Sequence, residues 1–206
     1  MSHEASLAHW QRIHSERQPT EVSWYQRTPA TSLDLVKAAR IGKDIPIVDV
    51  GAGASTLVDG LLERGYREIY LLDIADAAFA STRRRLGARA SHVQTIAADV
   101  AAWRPVHTFG LWHDRALFHF MTEPSQRDAY RETLRAALAP TGKAIVATFA
   151  DDGPSKCSGL PVVRYSPEGL AFEFNGLLTP LESRREQHTT PGGATQSFVY
   201  TLFERT

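Results

Sequence analysis

Three carboxylates and two glycines are spaced so that one edge of a strand-rich chain can gather them. Val48-Asp-Val-Gly-Ala-Gly-Ala-Ser55 runs from a β-branched apolar stretch into glycines at 51 and 53, which let the backbone turn tightly and approach a ligand where a Cβ would clash. Asp49, just ahead of the turn, can face an ammonium directly or through water. Asp73 follows at the distance at which an acidic residue accepts both hydroxyls of a ribose. Asp99, further on, can accept from an adenine amino group. A dinucleotide fingerprint would place a third glycine at position 56, which is Thr56, and this disfavours close pyrophosphate packing. Plainer roles are open to the same residues: Asp73 as the cap of the next helix, Asp49 as a buried carboxylate fixing the turn, Asp99 as an ordinary loop residue.

Periodicity supplies the elements that must position these groups. Pro46–Val50, Glu68–Asp73, His92–Ala97, Phe109–His113 and Lys143–Phe149 read as strands. Helices are expected over Pro29–Ile41, over Ser55–Arg64 ending near Gly65, over Asp76–Leu86 stopping at Gly87, and over Ser125–Leu138 closed by Pro140-Thr-Gly142. Such alternation implies a parallel α/β sheet. The tail departs from it: Leu178–Glu186 and Thr195–Glu204, joined by His188–Ala194 with Pro191-Gly-Gly193, read as an antiparallel hairpin. Asp151–Ser158, after the fifth strand, is expected to be a mobile loop over the ligand edge.

In this order the chain resembles the class I S-adenosylmethionine-dependent methyltransferases, whose glycine motif is an acidic residue, any residue, glycine, any residue, glycine. Here that is Asp49-Val50-Gly51-Ala52-Gly53. The resemblance runs from about Ile45 to Phe149 by motif and to Glu204 by architecture. It implies an α/β, Rossmann-like, seven-stranded and mostly parallel sheet with helices on both faces and a C-terminal antiparallel hairpin. It also implies S-adenosylmethionine as cofactor and S-adenosylhomocysteine as product. Gly51, Ala52 and Gly53 would pass the methionine part beside Asp49, Asp73 and Ile74 would hold the ribose, and Asp99 with Val100 would flank adenine. His113 and Asp114 would lie beside the sulfonium and amino-acid end. The opening, with His9-Trp10 and Ser23-Trp24-Tyr25, resembles the N-terminal cap of a subset of small methyltransferases acting on protein lysines and on small molecules; where that subset has a tyrosine after the first Trp, this chain has His14. One domain is implied, with residues 1–44 as cap and leading helix and 45–206 as core.

Methyl transfer from a sulfonium is an in-line displacement, so the protein's work is alignment, and a base is useful only if the acceptor carries a proton. His119 is the candidate base, since imidazole titrates near neutral pH; a hydrogen-bonded structural histidine is the alternative. Trp24, Tyr25, Arg115 and Cys157 are candidates for the acceptor side. Cys157 would act as a soft thiolate or simply as a small residue, and Asp114 with Arg115 as a pocket-shaping ion pair. Arg164 and Tyr165 are further candidates toward an anionic acceptor. The acceptor is expected to be a small molecule, with a protein side chain as a variant. Two other readings stay open: a non-catalytic S-adenosylmethionine-binding subunit, and a nucleotide-dependent oxidoreductase.

Composition narrows the partners. At 206 residues, 43% hydrophobic and 22% charged, the chain suits one well-filled domain. Lys+Arg and Asp+Glu balance at 23 each, which leaves no charge excess to draw it onto nucleic acid or an anionic membrane. The run Arg83, Arg84, Arg85 and Arg89 is expected to be a solvated helix face. A single cysteine excludes an internal disulfide and a multi-cysteine zinc site, so no metal is expected. No apolar run approaches the roughly 20 residues that span a bilayer, and a cytoplasmic location is expected. Oligomeric state is not encoded in any motif.

Overall fold

The computed structural model describes residues 3–206; the first two residues of the expected cap segment lie outside the described residues. Five parallel strands form the heart of the sheet: β1 (Ile47–Val50), β2 (Ile69–Asp73), β3 (Val93–Ala97), β4 (Phe109–Arg115) and β5 (Leu138–Phe149). Two short strands follow, β6 (Lys156–Cys157) and β7 (Leu160–Pro161), and then the terminal hairpin β8 (Leu178–Thr189) and β9 (Thr195–Arg205). The seven-stranded order is β3-β2-β1-β4-β5-β9-β8, with β9 antiparallel to β5 and to β8. The order reverses between β1 and β4, and the crevice beyond the carboxyl ends of those strands is where an open α/β sheet binds ligands.

Both faces are covered, as a parallel sheet requires. Ile47, Ile69, Leu111 and Ile145 pack with α2 (Ala30–Ala38), α3 (Leu57–Glu63) and α4 (Ala77–Leu86) on one face. Val48, Val50, Trp112 and Val146 pack with α5 (Pro124–Ala137) and α6 (Pro167–Glu173) on the other. Alternation along each strand assigns side chains to faces. Asp49, His113 and Arg115 therefore point toward the α2 face, and Asp114 toward the α5 face.

Several expectations need correction. His3–Glu16 forms a helix, α1, of which only Ile13 is buried; so narrow an apolar stripe gives no readable helical period. Pro140-Thr-Gly142 does not end α5 in a turn. The helix passes directly into β5, and these residues sit in a bulge between the pairs Phe109↔Leu138 and Leu111↔Lys143. The expected mobile loop is instead folded in part as the β6–β7 hairpin, whose turn places Ser158 and Gly159 at φ of 52° and 80°. The terminal hairpin arms are longer than the patterning suggested, and α6 was not anticipated. No helix among the described residues is long and apolar enough to cross a membrane.

Candidate functional site

The β1–α3 turn needs its glycines. Gly51 and Gly53 have φ of 62° and 52°, a region costly for residues with a Cβ. A Cβ on Gly51 would stand 2.9 Å from the Leu117 side chain, and one on Gly53 would stand 3.2 Å from the His14 ring. The turn is fastened to the neighbouring strand: Ala52 N–H donates to the Leu72 carbonyl at 3.0 Å, and Gly53 N–H donates to Asp73 Oδ2 at 2.9 Å. Asp73 Oδ1 accepts from Ala75 N–H at 2.9 Å, so it shapes the bend leading to α4, whose cap position is Asp76. Burial pushes the Asp73 carboxyl above the usual range, and its backbone bonds and the nearby His14 oppose that shift less strongly.

Asp99 holds a second bend through Ala101 N–H at 2.9 Å and takes His3 Nδ1 of α1 at 2.8 Å. Asp49 lies behind the glycine turn, where its Oδ1 meets His113 Nδ1 at 2.7 Å. On the far side of the ring, His113 Nε2 meets Ser32 Oγ of α2 at 2.9 Å.

Two adjoining clefts open along this edge. The outer one, about 760 Å³, is lined by Gly53, Asp73, Ile74, Asp99 and Val100 on one side and by Trp10, Leu117, Phe120, Met121 and Cys157 on the other. The inner one, about 720 Å³, is lined by Tyr25, Ser32, Asp49, Ala52, Ser55, Thr56 and His113. His14, Trp24, Gly51 and Arg115 border both. Trp10 meets Trp24 and Phe120 edge to face, at ring separations of 5.8 Å and 5.2 Å.

Arg115 is held from several sides. Its Nε donates to Tyr200 Oη at 2.7 Å and its Nη1 to the Trp24 carbonyl at 2.9 Å. The guanidinium lies 4.4 Å from the centre of the Phe198 ring. Nη2 sits 3.9 Å from Glu186 Oε1 and has no hydrogen-bond partner among the described residues.

Thus Asp49, Gly51, Ala52, Gly53, Asp73, Ile74, Asp99, Val100, His113, Trp24, Tyr25, Arg115 and Cys157 all border the two clefts. Asp114 does not. Alternation turns it to the α5 face, where it accepts Tyr130 O–H at 2.7 Å and the Leu117 N–H at 3.0 Å; this also rules out the expected ion pair with Arg115. His119 is corrected too: its ring is fully buried between Phe120 and Phe149, and Nδ1 accepts the Phe149 N–H at 3.3 Å. Burial, with the Arg115 charge, pushes the His119 pKa down to about 3, which leaves it no role as a base near neutrality. Burial pushes the Cys157 thiol up to about 12, so it offers the cleft apolar surface rather than a thiolate. Tyr165 stacks on Phe118 inside the α5-face core, and Arg164 donates to the Gly153 carbonyl.

Four residues were missed. His14 lies one helical turn after Trp10, a spacing that would have signalled a shared face had α1 been recognised. Ser32 and His3 carry no local signal, because each meets its partner only through tertiary packing. Arg85, assigned to a solvated face, donates to the Ser55 and Ala54 carbonyls at 2.7 Å and 3.3 Å and pairs with Asp59, pinning α4 to the end of the glycine turn.

Residues 47–142 match the family model described as a methyltransferase domain. The comparison with curated proteins gives no match. Among solved structures, the chain is similar to the 1,6-didemethyltoxoflavin-N1-methyltransferase of Burkholderia thailandensis, determined with 1,6-didemethyltoxoflavin and S-adenosylhomocysteine, at 20% identity and a TM-score of 0.74 over 98% of this chain and 89% of that one. It is similar to the N-methyltransferase NodS of Bradyrhizobium japonicum in complex with S-adenosylhomocysteine, at 16% identity and 0.70 over 100% and 99% of the two chains. A SAM-dependent methyltransferase from Anabaena variabilis gives 14% identity and 0.75 over 99% and 95%. At these identities the likeness is one of fold.

Proposed function

With a methyltransferase domain over residues 47–142 set in a class I methyltransferase fold, we propose that this enzyme transfers the methyl group of S-adenosylmethionine to a small-molecule nucleophile. The observation that carries the reading is the joint placement of the Gly51–Gly53 turn, Asp73 and Asp99 along one cleft, which continues past Gly51 into a second cleft holding Asp49. The residues fit the cofactor on two counts. The glycine turn makes a cradle that a Cβ would fill, and Asp49 Oδ2 is a buried carboxylate oxygen with no partner among the described residues.

In this reading Asp73 and Ile74 hold the ribose, Asp99 and Val100 flank adenine, and Gly51, Ala52 and Gly53 pass the methionine part toward Asp49. When bound, S-adenosylmethionine supplies a methyl group on a positively charged sulfur. The protein supplies alignment, and holding the reactants in a near-attack geometry is worth on the order of 7 kcal/mol or more, without a dedicated base. Trp10, Trp24 and Phe120 offer edges and faces to a flat acceptor and exclude water, and Arg115, bordering both clefts, orients it from the side where the methyl group must cross. The Burkholderia thailandensis methyltransferase was determined with 1,6-didemethyltoxoflavin bound, which supports a small-molecule acceptor here. Residues 1–44 serve in this reading as a cap on the 45–206 core.

Isothermal titration of S-adenosylmethionine and S-adenosylhomocysteine tests the proposal. The wild type is expected to bind both and Asp73→Ala to bind neither while remaining folded by circular dichroism. Binding retained in Asp73→Ala would remove the ribose assignment, and no binding by folded wild type would remove the cofactor.

A further inference from the structure

The Arg115 guanidinium is held firmly and yet left partly unused. Nε donates to Tyr200 Oη at 2.7 Å and Nη1 to the Trp24 carbonyl at 2.9 Å, which leaves the second N–H of Nη1 and both N–H groups of Nη2. Nη2 is buried and has no hydrogen-bond partner among the described residues, although Glu186 Oε1 stands only 3.9 Å away. That carboxylate is held back, because the same oxygen accepts Gln26 Nε2 at 2.9 Å and Tyr200 O–H at 3.2 Å. Glu186 therefore offsets part of the guanidinium charge without taking its open N–H groups, and it lines neither cleft.

A charged group 10% exposed with open donors is costly unless something completes it. Arg115 borders both clefts, and among the residues lining the outer one it is the only permanent cation. Arg17, the other arginine on these clefts, is exposed and lines the inner one alone. The carboxylates of the outer cleft, Asp73 and Asp99, are assigned to the cofactor. The wall left for an acceptor is Trp10, Trp24, Phe120, Met121 and Cys157, and the field of Arg115 reaches it: burial raises the Cys157 thiol, and the Arg115 charge opposes that rise. Aromatic rings alone would suit a cationic acceptor. A fixed guanidinium among them repels a cation and matches a planar oxyanion, to which its N–H fork can donate.

We propose that Arg115 makes this site select a flat acceptor bearing an oxyanion, an ionised phenol or enol, over neutral and cationic molecules of the same shape. Nη2 and the second N–H of Nη1 hold the oxygen, and the rings hold the plane. The acceptor's proton leaves to solvent as it binds. A lone pair of the oxyanion then forms the new C–O bond while the S–CH3 bond breaks and its electron pair returns to sulfur, so anion and sulfonium are consumed together and both products are neutral. Arg115 acts by raising the share of acceptor that is ionised at neutral pH, a task for which His119 is unavailable. This inference rests on the cofactor reading above and adds to it the charge class of the acceptor.

The probes are para-nitrophenol, whose ionisation is read by absorbance, and para-nitroaniline, its neutral counterpart, each titrated onto the complex with S-adenosylhomocysteine. S-adenosylhomocysteine is titrated first: no binding by folded wild type removes the cofactor reading and this inference with it, and every later outcome concerns the acceptor alone. Bound to wild type, para-nitrophenol is expected to ionise about one pH unit lower than when free, which corresponds to about tenfold tighter binding of the anion than of the neutral form. Arg115→Gln is expected to abolish that difference, and with it the preference over para-nitroaniline, while holding S-adenosylhomocysteine within about twofold of wild type. Arg115→Lys, which keeps the charge and loses the fork, retains part of the preference. Glu186→Gln, which removes the offsetting charge and leaves an oxygen for Gln26, is expected to increase it. No saturable binding of para-nitrophenol, an unshifted ionisation in wild type, a shift that survives Arg115→Gln, or equal losses of both probes in that variant would each overturn the proposal. So would a loss confined to S-adenosylhomocysteine, which would place Arg115 on the cofactor. If Arg115→Gln does not fold, a weaker preference in Arg115→Lys with a stronger one in Glu186→Gln supports the proposal, and any other pattern overturns it.

Discussion

At the scale of residues, the sheet's alternation matters more than proximity in sequence. His113, Asp114 and Arg115 are consecutive, but the first and third face the clefts and the second faces α5. The glycines and the three carboxylates were legible because each sits at a strand end, where type and spacing suffice. His119 and Asp114 were misread because their environments are made by side chains distant in sequence, Phe149 for one and Tyr130 for the other. These two buried groups also set opposed pH dependences. Burial pushes the Asp114 carboxyl up to about 7. Its folded pKa thus exceeds the unfolded one, and the stability it contributes is present at low pH and lost as pH rises through about 7. His119 is depressed to about 3, so the unfolded chain binds the extra proton and stability is lost as pH falls below the unfolded value near 6.5. The two slopes largely cancel between pH of about 4 and 6.5. Asp114→Asn removes one of them, so its stability relative to wild type is expected to rise by on the order of 3 kcal/mol across that pH range. Urea unfolding at both ends of the range measures this, and a constant difference between the two proteins would refute the burial-driven shift.

Among elements, those with a strong period or sharp punctuation could be read, and those defined by what packs on them could not. β1 and β2 are short apolar runs ending at glycine or aspartate, and α3 and α4 stop at Gly65 and Gly87, both with positive φ. α1 buries one residue and leaves no stripe. The β6–β7 hairpin looked like a loop because two-residue strands are too short to show alternation. The element that matters most for binding is the glycine turn, and its two demands can be separated by substitution. Gly51→Ala places a Cβ at φ of 62° and 2.9 Å from Leu117. It is expected to cost about 1–2 kcal/mol from the backbone alone and, by moving Leu117 at the cleft wall, to weaken cofactor binding as well. Gly65→Ala also has positive φ, at 81°, with nothing within 4 Å of the new Cβ. It should lower the melting temperature and leave binding unchanged. If titration of S-adenosylhomocysteine finds both variants equally unimpaired, close approach at Gly51 is not what the cleft requires.

For the whole molecule, the informative asymmetry is that α1 is attached to the site rather than to the core. His3 pairs with Asp99, Trp10 sits against Trp24 and Phe120, and His14 lies over Gly53, while Ile13 is its one buried residue. An element with so little buried apolar area opens locally at small free-energy cost. A ligand filling the outer cleft touches Trp10 and His14 as well as the sheet, so opening α1 would break ligand contacts, and binding must oppose it by mass action. Arg12 within α1 and Arg17 just past its end offer trypsin sites, and cleavage requires the chain around them to unfold. S-adenosylhomocysteine at about a hundredfold excess over its dissociation constant is therefore expected to slow cleavage at these positions by up to about a hundredfold. Cleavage at Arg67, whose exposed side chain pairs with Asp44 at the amino-terminal ends of β1 and β2, serves as the reference that ligand should change less. Equal slowing at both places would mean that the ligand stabilises the fold globally, and no slowing at Arg12 and Arg17 would mean that α1 is not part of the bound site. Selective slowing would establish that the cap and the cofactor cleft form one thermodynamic unit, in which cofactor binding sets how often the acceptor side is open to solvent.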